Sequence, residues 1–243
     1  MFVGAGTAVN VLAIISGSAI GILAGHRIRS DIRTLMTDVL GAVTLISAAS
    51  AIKEMWNSSL NSLQTGAPIL IVLISLLLGG LIGSLLSFEA RLDGLGQTLK
   101  AKFDRGNSSR FVEGFVNSSL IFVIGPLAIL GSISDGMGTG VDQLLLKSAL
   151  DFFASIAFAA TFGWGVSLSS LPVGIYQLSW TFVGVLLGSV LSNAQVAIMT
   201  ATGGILLLGI ALRLLEIKKI AIGNLLPALA IAPCLVAFVQ RFF

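Results

Sequence analysis

Residues 21–48 read GILAGHRIRSDIRTLMTDVLGAVTLISA, and residues 184–211 read GVLLGSVLSNAQVAIMTATGGILLLGIA. A shift of 163 residues, without a gap, places Gly21, Leu23, Gly25, Met36, Thr37, Gly41, Leu45 and Ala48 on Gly184, Leu186, Gly188, Met199, Thr200, Gly204, Leu208 and Ala211. The match covers a glycine-spaced apolar segment, a short connection and the start of a second segment. In membrane proteins such internal repeats build transporters, and the relative orientation of the copies decides which kind.

Composition fixes the solvent. The chain has 243 residues, of which 56% are hydrophobic and 10% charged, against roughly 25% charged in soluble domains. A water-soluble fold of this length has no means of hiding so much apolar surface, so the expected surroundings are lipid. One Cys (Cys234) and one His (His26) exclude an intrachain disulfide, a Cys/His metal cluster and a His-centred catalytic set. We expect no cofactor, no metal and no nucleic-acid partner. The segment from Gly4 to Gly25 lacks a basic leader and is read as a retained first helix, not a signal peptide.

About 20 apolar residues cross a bilayer as a helix. Eight segments qualify, at roughly 5–25, 35–56, 67–87, 111–133, 142–164, 170–191, 195–214 and 220–240. Their length and lack of alternation specify helices, so the expected fold is an all-α polytopic bundle. Between the third and fourth segments, Leu92, Leu95, Leu99 and Phe103 recur at helical spacing among Arg91, Lys100 and Lys102. That pattern marks residues 88–110 as an amphipathic helix lying in the interface.

Lys and Arg collect on the cytoplasmic side of membrane proteins. With the first loop inside, eleven of the 14 basic residues are cytoplasmic, Lys53 and Arg241 are outside, and Lys147 lies within a helix. Both termini then face out of an inner-membrane, multi-pass protein. The first copy of the repeat starts at the first segment and the second at the sixth. An odd displacement reverses direction, so the copies form an inverted pair. The whole chain reads as one transmembrane domain. Repeat one covers about 1–87, the linker 88–110, the central helices 111–164 and repeat two 170–243.

Two central segments carry the polar chemistry. Lys147 and Asp151 are four apart and share a helical face. Asp151 is about nine residues into its segment, roughly 13 Å deep at ~1.5 Å per residue. A charge at that depth is expected to be paired or functional. The alternatives are an ion-binding carboxylate, a structural ion pair with Lys147, or an Asp held protonated by desolvation. The fourth segment carries Glu113, Asn117-Ser118-Ser119, Gly125-Pro126 and, at its end, Asp135. Pro126 removes an amide donor and clashes with the carbonyl four residues back. It therefore marks either an ordinary kink or a broken helix whose freed carbonyls and half-helix N-terminus could hold an ion. Gln177, Tyr176, Ser179, Thr200, Thr202, Asn10 and Asn224 are weaker polar candidates, each equally readable as an interhelical hydrogen bond. The small-residue stripes Gly17/Gly21/Gly25, Gly79/Gly83 and Gly184/Gly188 suit close helix approach, either inside the protomer or at a homodimer seam.

The run Phe111-Val112-Glu113-Gly114-Phe115 through Gly125-Pro126-Leu127-Ala128-Ile129-Leu130-Gly131-Ser132-Ile133-Ser134-Asp135-Gly136 resembles the bacterial YdfK/YqgA-type membrane proteins. So do Lys147-Ser148-Ala149-Leu150-Asp151, Ala201-Thr202-Gly203-Gly204 and Asn224-Leu225-Leu226-Pro227-Ala228-Leu229. The resemblance extends over essentially the whole chain and implies a polytopic fold in a bacterial-type inner membrane. The family motif includes the positions of Gly125, Pro126, Lys147 and Asp151. It implies no substrate.

The leading expectation is a secondary transporter of a small ion or solute, with its site between the two central segments and the inverted repeats. A passive channel, and a scaffold or sensor acting through residues 88–110, are the alternatives. An enzyme is not expected, since no Gly-x-Ser-x-Gly or His-Glu-x-x-His motif is present. Topology is directly testable. With Cys234→Ser as background, Arg105→Cys should stay unlabelled by an impermeant maleimide in intact cells. Labelling there from outside would reverse the orientation.

Overall fold

The computed structural model describes all residues except 1, 26–28, 62, 64–65, 104–109, 125, 139, 188–190 and 243, together with the side chains of residues 30, 33, 36, 103, 126, 187 and 242. His26, Arg27, Arg105, Gly125 and Gly188 therefore lie outside the described residues, and the side chains of Arg33, Phe103 and Pro126 are outside them too.

The described residues are mainly α-helical, with short 3-10 turns at Lys53–Trp56, Ser58–Leu60 and Ile222–Leu225 and no strand among them. In order the helices are α1 (Ala5–Gly25), α2 (Ser30–Ile52), α3 (Ala67–Leu85), α4 (Phe88–Phe103), α5 (Phe111–Val123), α6 (Pro126–Gly136), α7 (Asp142–Phe162), α8 (Gly165–Leu168), α9 (Ser170–Leu187), α10 (Asn193–Leu214) and α11 (Ala228–Phe242). Six helical stretches are long and apolar enough to cross a membrane: Ala5–Gly25, Thr37–Leu60, Ala67–Leu85, Asp142–Phe162, Asn193–Leu214 and Ile222–Arg241. α5 and α6, bent by 63°, make a seventh if taken as one span. The remaining expected segment, 170–191, is helical over Ser170–Leu187 and is not among those six. Many large apolar side chains face outward, among them Leu77, Leu81, Leu146, Phe153 and Phe182, as lipid surroundings allow.

Local sequence explains the helix ends. Pro126 opens α6, where its missing amide hydrogen leaves no further group unbonded. Gly163, at φ +80°, ends α7 in a conformation that costs glycine little. Ser192 and Gln195 cap α10 reciprocally, the Ser192 hydroxyl accepting from the Gln195 amide and the Gln195 side chain accepting from the Ser192 amide.

The chain packs as two compact units, one of residues 1–40 and 92–190, the other of residues 41–91 and 191–243. In the first unit α1 and α7 run parallel. Gly6 lies against Leu144, Asn10 reaches Asp151, Gly17 meets Phe152 and Ser155, Gly21 meets Ile156 and Ala159, and Gly25 meets Ala160. A β-carbon at Gly25 would lie 2.8 Å from the Ala160 carbonyl oxygen, so the glycines permit backbone contact. α9 runs antiparallel to α1. A β-carbon on Gly174 would lie 3.1 Å from Val11, and one on Gly4 would lie 3.5 Å from Leu178.

The bent pair α5/α6 follows α7 in the opposite sense. Gly114, near the start of α5, packs on Phe162 at the end of α7, and the Arg110 guanidinium sits 4.6 Å over the Phe162 ring. Gly131 of α6 packs on Leu144 at the start of α7, and Asp135 reaches Gly4 and Gly6. The two halves together thus run from one end of α7 to the other. Gly96 of α4 rests on Phe115 and Val112 of α5.

In the second unit α10 is antiparallel to both α2 and α11. Gly41 meets Leu215, Gly204 meets Ile52, and the Gln195 side-chain amide donates to the Pro233 carbonyl at 3.1 Å. α3 is antiparallel to α11, with Gly79 on Ala228 and Gly83 on Asn224. Ile71, Val72, Ala197, Ile198, Ala232 and Val236 form the core between these helices. Glu89 locks one end of this unit. Its carboxylate accepts from Arg213 at 2.7 Å and from the Gly223 amide at 2.6 Å, while its own amide donates to Asn224.

The described glycines of all three stripes are therefore taken up within the chain. Gly17, Gly21 and Gly25 face α7, Gly79 and Gly83 face α11 and the turn before it, and Gly184 faces Ile133 of α6. Of the two readings of these stripes, packing inside the protomer is the one observed.

Gly21→Val should wedge α1 from α7 and cost roughly 1–3 kcal/mol, the usual price of overpacking, seen as a lowered Tm in detergent. Gly94→Ala, where an added β-carbon meets nothing within 4 Å, should leave Tm unchanged or raised.

Candidate functional site

The centre of the first unit holds one ion pair. Lys147 Nζ donates to Asp151 Oδ2 at 2.6 Å, and both side chains are 8% exposed. Their i,i+4 spacing on α7 brings them together as the sequence requires. The same Oδ2 accepts from Asn10 Nδ2 of α1 at 3.0 Å. Lys147 Nζ also lies 6.0 Å from the centre of the Phe122 ring at the end of α5, within the range of a weak cation–π attraction. Asn10 is wholly buried. Sequence alone offers it as a lone amide, and its partner lies 141 residues away.

Other predicted site residues divide. Asn117 on α5 and Gln177 on α9 are fully buried, and among the described residues neither end of either amide has a hydrogen-bond partner. Buried amides in that condition are costly and call for an explanation. Asp135 is buried, yet its two oxygens accept from the Gly4 amide at 3.3 Å and the Gly6 amide at 3.0 Å. It closes the N-terminus of α1, where unbonded amides and the helix dipole favour a carboxylate. Glu113 is partly exposed and pairs with Arg110 at 3.3 Å, at the Phe162 end of the unit. The break after Val123 and the start of α6 at Pro126 appear as the proline demands, but Gly125 is outside the described residues, so no ion ligand is assigned to it. Thr200, Thr202 and Ser179 spend their hydroxyls on carbonyls four residues back. Asn224 accepts from Glu89 in the second unit.

Sequence reading passed over four further side chains. Thr7 and Ser18 on α1, Ser155 on α7 and Thr181 on α9 are buried, and their hydroxyls have no hydrogen-bond partner among the described residues. Among the described residues, no group of three or more His, Cys, Asp or Glu side chains could hold a metal ion. The site is thus a single balanced charge pair with an amide on the carboxylate, set among amides and hydroxyls that have bonds left to make.

The match to known proteins runs from residue 5 to residue 237. The chain belongs to the DUF554 family. That family is described as proteins of unknown function. Among DUF554 relatives, the uncharacterized membrane protein YdfK of Bacillus subtilis (strain 168) is 31% identical over 237 residues, covering 98% of this chain and 97% of that one. The uncharacterized protein YqgA of Escherichia coli (strain K12) is 29% identical over 231 residues, covering 93% and 94%. No solved structure matches. This DUF554 chain is a membrane protein of several apolar helices, as the sequence led us to expect.

Removing one member of the pair should be worse than removing both. Lys147→Met or Asp151→Asn alone leaves a buried charge without its counter-ion and should cost about 3–5 kcal/mol. The double variant should regain most of that loss. Thermal unfolding of the purified protein in detergent checks this.

Proposed function

We propose that this protein is a secondary transporter of a small ion or solute, with its binding site at Lys147, Asp151 and Asn10. The two copies of the repeat run oppositely through the membrane, the first to third segments answering the sixth to eighth. Two sets of contacts support that reading. Val11 and Gly174 are equivalent under the 163-residue shift, and they touch each other. In the second unit, Gly41 touches Leu215 while Gly204 touches Ile52. These two contacts exchange when each residue is replaced by its equivalent, which is the mark of a two-fold relation. Because α1 and α9 are antiparallel, an axis at Val11 and Gly174 lies across them, in the membrane plane if the helices span it.

The observation that carries the proposal is the place of the ion pair. Asn10, which holds Asp151, adjoins Val11 at that axis. A site on the pseudo-two-fold of an inverted repeat is equally distant from both sides, and exchange of the two copies' conformations opens it to each in turn. Eight crossings then follow. α5/α6 reaches from one end of α7 to the other and acts as one span, and α9 returns the chain along α1. With Arg27, Arg29, Arg33, Arg91, Lys100, Lys102, Arg105, Arg110, Arg213, Lys218 and Lys219 inside, both termini face the outside of the inner membrane. No catalytic step enters this proposal.

Alternating access is testable without a substrate. In a Cys234→Ser background, Gln177→Cys and Asn117→Cys should each react slowly with an impermeant thiol reagent. Cross-linking that traps one state should speed labelling of one from outside and slow labelling of the other from inside. An inert bundle would leave both unlabelled from either side. A channel would label both at once.

A further inference from the structure

We propose that the small ion carried through this site is the proton, with Asp151 as its carrier and two half-paths of buried hydroxyls and amides leading to it. This deepens the transporter reading and rests on it. The unpartnered polar groups of the first unit are not scattered. Taking α1 as a ruler, Thr7, Asn10 and Ser18 fall on one helical face, spaced three and eight residues apart, with Ile14 between the last two. They span about 16 Å at ~1.5 Å per residue. All are buried, and Thr7, Asn10 and Ser18 each have a side-chain polar atom without a partner among the described residues.

On the Asp135 side of the ion pair stand Thr7, Gln177 and Thr181. Gln177 lies along α9 between Gly174, which meets Val11, and Leu178, which meets Gly4. Thr181 packs by its carbonyl against Gly136. On the Phe162 side stand Ser18, Ser155 and Asn117. Ser155 abuts Gly17, the neighbour of Ser18. Asn117 lies along α5 between Gly114, which meets Phe162, and Phe122, which faces Lys147. Ser18 and Thr181 are themselves equivalent under the 163-residue shift, so each half-path has a hydroxyl where the other has one.

Charge decides the species. Among the helices of this unit, α1, α8 and α9 carry no charged residue, and Tyr176 is their one titratable side chain. α5 and α6 contribute Glu113, paired with Arg110 at one end, and Asp135, bound to α1 amides at the other. α7 adds Asp142 at its first residue. The α2 and α4 portions of the unit carry Asp31, Arg33, Asp38, Asp93, Lys100 and Lys102, and none of these belongs to α1 or α5 through α9. Among the described residues of α1 and α5 through α9, Lys147 and Asp151 are therefore the only charges between the ends. A metal cation would meet the Lys147 ammonium, and an anion the Asp151 carboxylate. The glycine seam brings the backbones of α1 and α7 into contact through the Phe162 half, which leaves a solute no passage between them. A proton needs only groups that both donate and accept, and hydroxyls and amides do so.

A proton arriving along one half-path forms an O–H bond on the Asp151 carboxylate, turning the Lys147 ion pair into a charge-to-neutral hydrogen bond. It leaves by breaking that bond toward the other half-path. One positive charge crosses and no electron moves.

The test uses the full chain, reconstituted in phosphatidylethanolamine and phosphatidylglycerol vesicles on a solid-supported membrane. A step to lower pH at constant sodium should give a transient current in the wild type. Asp151→Asn should abolish it, as should Asp151→Asn with Lys147→Met, which keeps no unpaired buried charge and guards against misfolding. Ser18→Ala with Ser155→Ala should keep the total charge moved and slow the decay several-fold. A current that survives Asp151→Asn overturns the carrier. A current on a sodium step at constant pH, with none on the pH step, overturns the proton while leaving transport intact. No current on either step overturns the proton, and the thiol labelling then decides whether transport stands.

Discussion

The close approach of α1 and α7 governs the arrangement around Asp151. Gly17, Gly21 and Gly25 remove side chains from one face of α1, and the two backbones meet along that face. In lipid, where apolar side chains gain nothing by leaving their solvent, such contact is a principal source of helix association. It also sets the register. Asn10 lies one to two turns before Gly17, and only with the seam closed does its amide reach Asp151. The charge pair, placed by the four-residue spacing on α7, is thus held from the side by packing that contains no charged group of its own.

How far the sequence was legible follows from the range of each interaction. Lys147 and Asp151 were legible because their contact is local to one helix. The interruption at Pro126 was legible because it is a property of one residue's backbone. Asn10 was not, because nothing in α1 distinguishes an amide that meets a carboxylate 141 residues away from one that bonds a neighbouring helix. Asp135 reads identically whether it binds an ion or closes the first turn of α1, and only the positions of Gly4 and Gly6 separate the two.

The hydroxyls make the same point more sharply. Ser148 and Thr202 bond carbonyls one turn back, whereas Ser155, Ser18 and Thr181 have no such partner. All five are small hydroxyls inside apolar helices. The difference is one of side-chain rotation and neighbouring backbone, neither of which is written in composition or spacing. The Glu89 clamp escaped for a related reason. Its three partners, Arg213, Gly223 and Asn224, come from a stretch more than a hundred residues later, and a glutamate in the first turn of an amphipathic helix ordinarily reads as a solvated charge.

Asp135 has a mechanical side. It stands in the last turn of α6 while its carboxylate grips the first turn of α1, so it fastens the far half of a broken helix to the helix that carries Asn10. A broken helix can swing at its break without unravelling. Whatever displaces α6 must then either drag the beginning of α1 along or let go of two amide hydrogens of its first turn. The first outcome makes α6 a crank for α1, and the second makes the carboxylate a latch with a definite release energy.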